Sequence, residues 1–514
     1  MKVLAAIIAL AASLSAQTPP PELDPGLGAL HHAVTTTNAE AQKYFDQGLK
    51  YAYAFNHEAA VDSFKYATTL DPDLAMGYWG AALALGPNIN MDVDPDHEKA
   101  AYESIQAALA HIDHASAEER DLINALAKRY SNDPKADLHK LSEDYSAAMG
   151  ELAKKYPDDL DLATLYAESL MDLHPWKFWT HDGTPTEGTE EIVSTLQAVL
   201  KKNPNHIGAN HYFIHAVEAS AHPELALQSA HRLRTLAPSA GHLVHMPAHI
   251  LQRTGDYAGA AHANAHAADV DREWIKKHGG ESMYAAMYYN HNLQFGSASY
   301  AMIGDYATSK KMADEFGGTA AQMAKMLPPL EIFAAAPSLV LVRFGKWRDV
   351  LTVPDPKAGT TSTALWHFAR GTAFAKMGNV SGAESELKDL DAMLPSITTD
   401  PGFTQNSQRD LVAVGSHLLA GRIAAAKGDH DGAIKHYEEA VKAEDALNYD
   451  EPADWPLPSR ETLGAELLRA GRAADARRVF LEDLKHNPNN PRSLFALGRK
   501  VPGWKGGRLW IEDL

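Results

Sequence analysis

The chain contains no cysteine in 514 residues. That absence excludes disulfides, thiolate-held zinc, iron–sulfur clusters and c-type haem attachment at once. Any metal must be held by His, Asp, Glu, Asn, Met or backbone oxygen. Long apolar runs are also lacking, and no segment after Leu14 is apolar enough to span a bilayer. Positive charge is in deficit: 47 Lys and Arg face 66 Asp and Glu, a net charge of −19. So acidic a chain is a poor partner for nucleic acid or an anionic membrane. Short catalytic signatures are missing too, with no H-E-x-x-H, G-x-S-x-G, Walker A or dinucleotide glycine pattern.

Histidine is what the chain has in excess, with 26 residues. His211 and His215 form an H-x-x-x-H pair in NHYFIHAVE, and His245 and His249 form another in GHLVHMPAH. The second pair lies 34 residues after the first. Spacing i, i+4 puts two rings on one helix face, as helical metal sites do.

Residues 1–16 read as a secretory signal: Lys2, a short apolar run to Leu14, then small residues at Ser15-Ala16. The expectation is a periplasmic or secreted protein. Residues 17–40 read as an N-terminal arm containing His31-His32, with a disordered arm favoured over one folded onto the groove.

From Tyr44 the chain takes a regular frame. Tyr44, Gly48, Tyr51, Ala60, Phe64, Ala67 and Pro72 fall at positions 4, 8, 11, 20, 24, 27 and 32 of a 34-residue unit. The frame returns in MGYWGAALALG, DLATLYAESLMDL, KGDHDGAIKHYEEAVKAED and RAGRAADARRVFLEDLKHNP. In this pattern the chain resembles tetratricopeptide repeat proteins over nearly all its length, with roughly nine to eleven hairpins. The resemblance implies an all-α, right-handed superhelix of antiparallel helix hairpins. It also implies a concave groove that takes a peptide, protein or small-molecule ligand. Repeats are expected in three blocks, 41–158, 159–330 and 331–500, followed by a tail at 501–514. Aromatic inserts near 174–188 and 272–289 break the period and are candidate lids or outer packing.

With Pro204 and Pro238 at position 32, His211 and His245 fall at position 5 and His215 and His249 at position 9. Glu218 falls at 12, and His242 and His291 at 2. These positions make one stripe. By resemblance that stripe faces the groove, clear of the packing positions. One unit earlier, Glu168 takes position 9 and Asp161 position 2. Helices about 8–10 Å apart would let imidazoles share one ion. His211, His215, His242, His245, His249 and His291 are therefore the candidate ligands of a divalent transition metal, copper or zinc. Glu218 and Glu168 are candidate bases for metal-activated water. A redox metal would instead imply oxidation near Tyr288, Tyr289, Trp176 or Trp179. Asn264, Asp269 and Asp271 are candidate acceptors behind the ligands. Asn88, Asn90, Asp92 and Asp94 alternate as calcium ligands do, but lack the EF-hand Gly and Glu, which favours a loop before a helix at Pro95. The alternative is a scaffold that binds a peptide or protein without chemistry.

Overall fold

The structure, a computed structural model, describes residues 20–280, 282, 284–402 and 404–499. The signal segment and the 501–514 tail lie outside them. Among the described residues the chain is helical, with only two isolated bridges, Asn88 with Met91 and Trp179 with Pro185. No helix among them is long and apolar enough to cross a membrane.

Local sequence starts these helices. Asn38 accepts from the amides of Glu40 and Ala41 to open Ala39–Tyr53, and Asn56 accepts from Ala59 to open His57–Leu70. Ser116 and Glu119 form a reciprocal capping box ahead of Ala117–Leu126. The Asn/Asp run at 88–94 is a loop whose last member, Asp94, caps Pro95–Ala110.

Pairing follows from small residues set against aromatics. A Cβ on Gly48 would lie 2.7 Å from the Phe64 ring, and one on Gly80 would press into the same ring. Phe64 is wholly buried between the helices Ala39–Tyr53 and Ala75–Leu85. The device recurs near the other end, where Gly421 faces Tyr437, and a Cβ on Gly464 would meet Phe480 at 2.5 Å. These are hairpins of the tetratricopeptide type, stacked into a superhelix whose apolar core runs between successive pairs.

The superhelix also turns back on itself. Gly208, opening Ile207–Glu218, packs on Tyr53 at the end of Ala39–Tyr53, where a Cβ would be 2.5 Å from its ring. Gly255 packs on the Pro488 carbonyl in the same way, with φ +81°. Near the second return, the buried Arg343 forks onto Glu461, which also takes Arg492 at 3.1 Å.

Residues 20–38, expected to be a disordered arm, are instead pinned to the repeats. Thr35 donates to Glu119, Gln42 to the His32 carbonyl, and the His31 ring meets Asp46 at 2.7 Å. The arm's polar groups find fixed partners both on the helix that follows it and on Glu119, 84 residues away, which local composition does not reveal.

Gly80→Val should lower stability by about 1–3 kcal/mol through overpacking against Phe64. Gly318→Ala, on an exposed helical position with open space around it, should be neutral or stabilising by up to about 1 kcal/mol. Denaturant titration of both variants against the parent checks the sign difference.

Candidate metal centre

Four helical segments carry the six histidines. Ile207–Glu218 bears His211, His215 and Glu218. Gly241–His245 bears His242 and His245, and after Met246 the chain re-enters helix at Pro247–Arg253 with His249. Gly241 is required there, because any Cβ would collide with the Asp271 carboxylate. His291 sits at the start of Asn290–Met302, just after the π-helical turn Ala285–Tyr289. Such turns shift the helical register and recur at functional sites.

The rings form two triads instead of one shared site. His211, His215 and His242 make the first, and His245, His249 and His291 the second. Within each, the ligand nitrogens lie within 4.8 Å of one another. In the first, His211 Nε2 is 3.0 Å from His242 Nε2. In the second, His245 Nε2 is 2.7 Å from His249 Nε2 and 3.1 Å from His291 Nε2. The division arises because His242 precedes His245 by nearly one turn and reaches back to the previous repeat, while His291 reaches in from the next. The triads adjoin: the rings of His215 and His249 are 5.4 Å apart, and those of His242 and His245 are 5.8 Å apart.

Three of the outer nitrogens are hydrogen-bonded to acceptors and a fourth lies against a carboxylate, while His242 Nδ1 makes no hydrogen bond. His211 Nδ1 donates to the Tyr53 carbonyl at 2.7 Å. His215 Nδ1 donates to Glu218 Oε1 at 2.8 Å, and His249 Nδ1 rests against Oε2 of the same carboxylate. His245 Nδ1 donates to Asn264 Oδ1 at 2.6 Å. Asn264 orients its amide by donating to the Ala260 carbonyl. An Nδ1 that carries the proton leaves Nε2 as a bare lone pair, the tautomer that binds metal.

The rings are buried, although the stripe was expected to line an open groove wall. Of the six histidines, all but His291 are at most 2% exposed, and His291 shows its edge to a cavity. Phe55, in the left-handed region at φ 55°, lies against His211, His215 and His242. Tyr288 covers His242, with ring centres 4.7 Å apart. Trp176, at φ 61°, meets His215 edge-on at 5.6 Å. Phe55 carries no sequence signal of this role, since the rings it covers belong to repeats far along the chain.

Burial sets the protonation states. It drives His211, His242 and His245 well below the ordinary imidazole value, assisted by neighbouring rings, and takes His291 to about 3. His215 is also lowered by burial, which outweighs Glu218. His249 alone is raised, because Glu218 overcomes its burial. Burial pushes Glu218 up, but His249 and His215 hold it down to about 2. Glu218 is thus an anion that orients two rings, and both its oxygens face them.

Glu168 lies elsewhere. It is buried beside Asp172, and burial followed by the Asp172 charge raises it well above the ordinary carboxylate value. Asp172 in turn pairs with Arg129 at 2.5 Å. Asp161 joins neither triad. It takes His32 at 3.0 Å, His206 at 3.1 Å and the Tyr53 hydroxyl at 2.8 Å. With Asp159 and His32 it forms a third group of ligand type, already filled by its own ion pairs. Asp271 accepts from Tyr284 and Asn292, and Asp269 pairs with Arg272. Tyr289 bonds Glu315, and Trp179 donates to the Ala216 carbonyl. Met246 is fully buried.

The cluster opens on a cavity of about 180 Å³ reached by His215, His242, His249 and His291. Trp176 and Tyr288 stand at its histidine end, Phe316 and Phe333 form an apolar wall, and Asp450, Glu451 and Asp454 line another side. The three carboxyl groups come from a segment far beyond the histidines in sequence, one with no recognisable motif.

No protein-family model matches the chain, and no curated protein matches it. Solved structures with similar folds include yeast Tom70, at 10% identity over 90% of this chain and 88% of that one, with a TM-score of 0.31. The human IFIT1 dimer with m7Gppp-AAAA is 13% identical over 90% and 95% of the two chains, with a TM-score of 0.35. The APC/C hetero-tetramer Cut9-Hcn1 is 12% identical over 89% and 75%, with a TM-score of 0.32. Likeness at this level carries no argument about chemistry, which rests on the residues of the site.

The Asp161 network gives a pH signature. His32 is raised by Asp161 against its burial, so its contribution is complete below the ordinary imidazole value of 6.5 and is lost as pH rises through the folded value. Asp161 is lowered by His206 and His32 against its burial, so its contribution is present above 3.8 and is lost as pH falls through the folded value. The tether is therefore strongest between about pH 4 and 6.5. Asp161→Asn should lower the melting temperature more at about pH 5.5 than at about pH 8.5. Equal losses at the two pH values would remove the ion-pair account.

Proposed function

We propose that this protein is a metal-dependent enzyme with one ion in each histidine triad, and that copper is the metal it selects. The observation that carries this reading is the convergence of three ring nitrogens in each triad while the outer nitrogens of His211, His215 and His245 are hydrogen-bonded to acceptors. One proton bridges two nitrogens; it cannot satisfy three. His215 Nε2 makes no hydrogen bond although the residue is buried and its Nδ1 is committed to Glu218. A buried, unbonded acceptor costs about 1–3 kcal/mol, and a cation in each triad satisfies all three donors together.

The donor set favours copper. Every inner donor is an imidazole nitrogen, the one anion stands behind them, and no thiolate exists in the chain. Imidazole suits both zinc and copper, and copper(II) binds such sites most tightly among the first-row divalent ions. When bound, a copper pair supplies one-electron steps for oxidation of a small molecule, whereas a zinc pair supplies activated water.

The chain's own residues do the rest. Glu218 fixes two ring orientations and ties the triads together. Tyr53 and Asn264 set the tautomers of His211 and His245. Phe55, Tyr288 and Trp176 exclude water and leave the cavity side as the approach for substrate. An exported location, as residues 1–16 suggest, belongs to the same proposal.

Dialysis against equal copper and zinc, followed by elemental analysis, tests the reading. Two equivalents of copper per chain are expected. His215→Ala and His245→Ala should each hold one equivalent or less, and the double variant none. Two equivalents of zinc would overturn the choice of copper. Less than one equivalent of any metal in the parent, or variants that bind as the parent does, would overturn the metal centre itself.

A further inference from the structure

The proposed metal reading leaves three carboxyl groups unexplained on the cavity wall. Two are engaged. Asp454 accepts from the Asn406 amide at 2.8 Å, and Asp450 accepts from the Gln405 and Glu451 backbone amides at 3.2 and 2.8 Å. The third is not. Glu451 is 6% exposed, lines the cavity, and its Oε2 makes no hydrogen bond. The Tyr449 hydroxyl approaches it without reaching hydrogen-bond geometry. Arg253 reaches the same region, yet its guanidinium donates to the carbonyls of Glu218 and Ser220 and stacks on Tyr449. No arginine or lysine is among the described residues that line the cavity. A buried carboxyl oxygen without a hydrogen-bond partner calls for one from a ligand.

The remaining wall defines the ligand's other end. Phe316, Met323, Leu327, Leu330 and Phe333 give an apolar face. It continues past Phe316 and Phe333 into a second apolar space of about 90 Å³. On the outer side Asn90, Trp176, Met287 and Glu451 are shared with a polar cleft of about 1020 Å³, which gives small molecules a way in. A ligand that matches these walls has an apolar body and one hydrogen-bond-donating cationic group. An anionic ligand would meet three carboxyl groups and no arginine or lysine.

We infer that the cavity selects a small primary amine with an aromatic or branched apolar body, its ammonium donating to Glu451 while the body lies on Phe316 and Phe333. This rests on the cavity being the substrate chamber of the proposed metal centre. Glu451 is a positioning residue here: it holds the amine and takes no part in metal ligation.

Three probes of one shape test this: phenethylamine, phenethyl alcohol and phenylacetate, each titrated by calorimetry into metal-loaded and chelator-treated protein. Phenethylamine is expected to bind at least tenfold more tightly than phenylacetate in both forms, because the selectivity comes from Glu451 and not from the ions. Glu451→Gln should abolish that preference and keep the parent's metal content, while Glu451→Asp should retain part of it. Three outcomes would overturn the inference: phenylacetate binding as well as the amine, no probe binding, or an unchanged preference in Glu451→Gln. A fall in metal content with the preference intact would assign Glu451 to the metal centre and overturn it too. The proposed metal centre fails separately. Amine preference in a protein that holds no stoichiometric metal would leave this inference standing and remove that one.

Discussion

One buried carboxylate holds the site together. Glu218 is 1% exposed and faces His215 with one oxygen and His249 with the other. An isolated carboxylate in such a place would take up a proton. Here two imidazoles keep it ionised, and it in turn fixes which nitrogen of each ring points inward. The two rings belong to different triads and different repeats, so a single negative charge sets the spacing between both halves of the centre. The remaining outer acceptors, the Tyr53 carbonyl and the Asn264 amide, do the same work for one ring each.

Burial is the second condition, and it comes from the path of the superhelix. A simple stack of hairpins would leave positions 2, 5 and 9 on an open wall. This chain brings the end of its first helix against the helix that carries His211 and His215, with glycine at the contact so that the backbones can approach. The return delivers Phe55 onto three imidazoles and the Tyr53 carbonyl onto the outer nitrogen of His211. The same Tyr53 is tied through its hydroxyl to Asp161, and through Asp161 to His32 on the N-terminal segment. Burial lowers the basicity of every ring but His249 and strengthens the charge interactions among them. It also leaves His291 at the edge that faces the cavity.

Much of this was legible from the residues. The glycine and aromatic positions gave the hairpins, because a ring facing a missing Cβ is a local contact that returns with each repeat. The histidine stripe followed from the same frame; of the three candidate outer acceptors Asn264, Asp269 and Asp271, only Asn264 meets a ring of the triads. Other positions did not follow. Glu168 and Asp161 share the frame positions of the histidine stripe, yet Arg129 and Asp172 engage one, while His32, His206 and Tyr53 engage the other. Position within a repeat fixes the direction of a side chain relative to its helix. It does not fix what lies opposite.

The sequence by itself therefore determined the helices, their pairing and the alignment of imidazoles on adjoining turns, since these depend only on the helical turn and the repeat period. Only the tertiary structure decided that six rings divide into two triads, that Phe55 and Tyr288 cover one side of them, and that Glu451 faces the same cavity. Those outcomes depend on segments that are distant in the chain. They meet only when small rotations between successive hairpins add up over many repeats, and no local pattern encodes that sum.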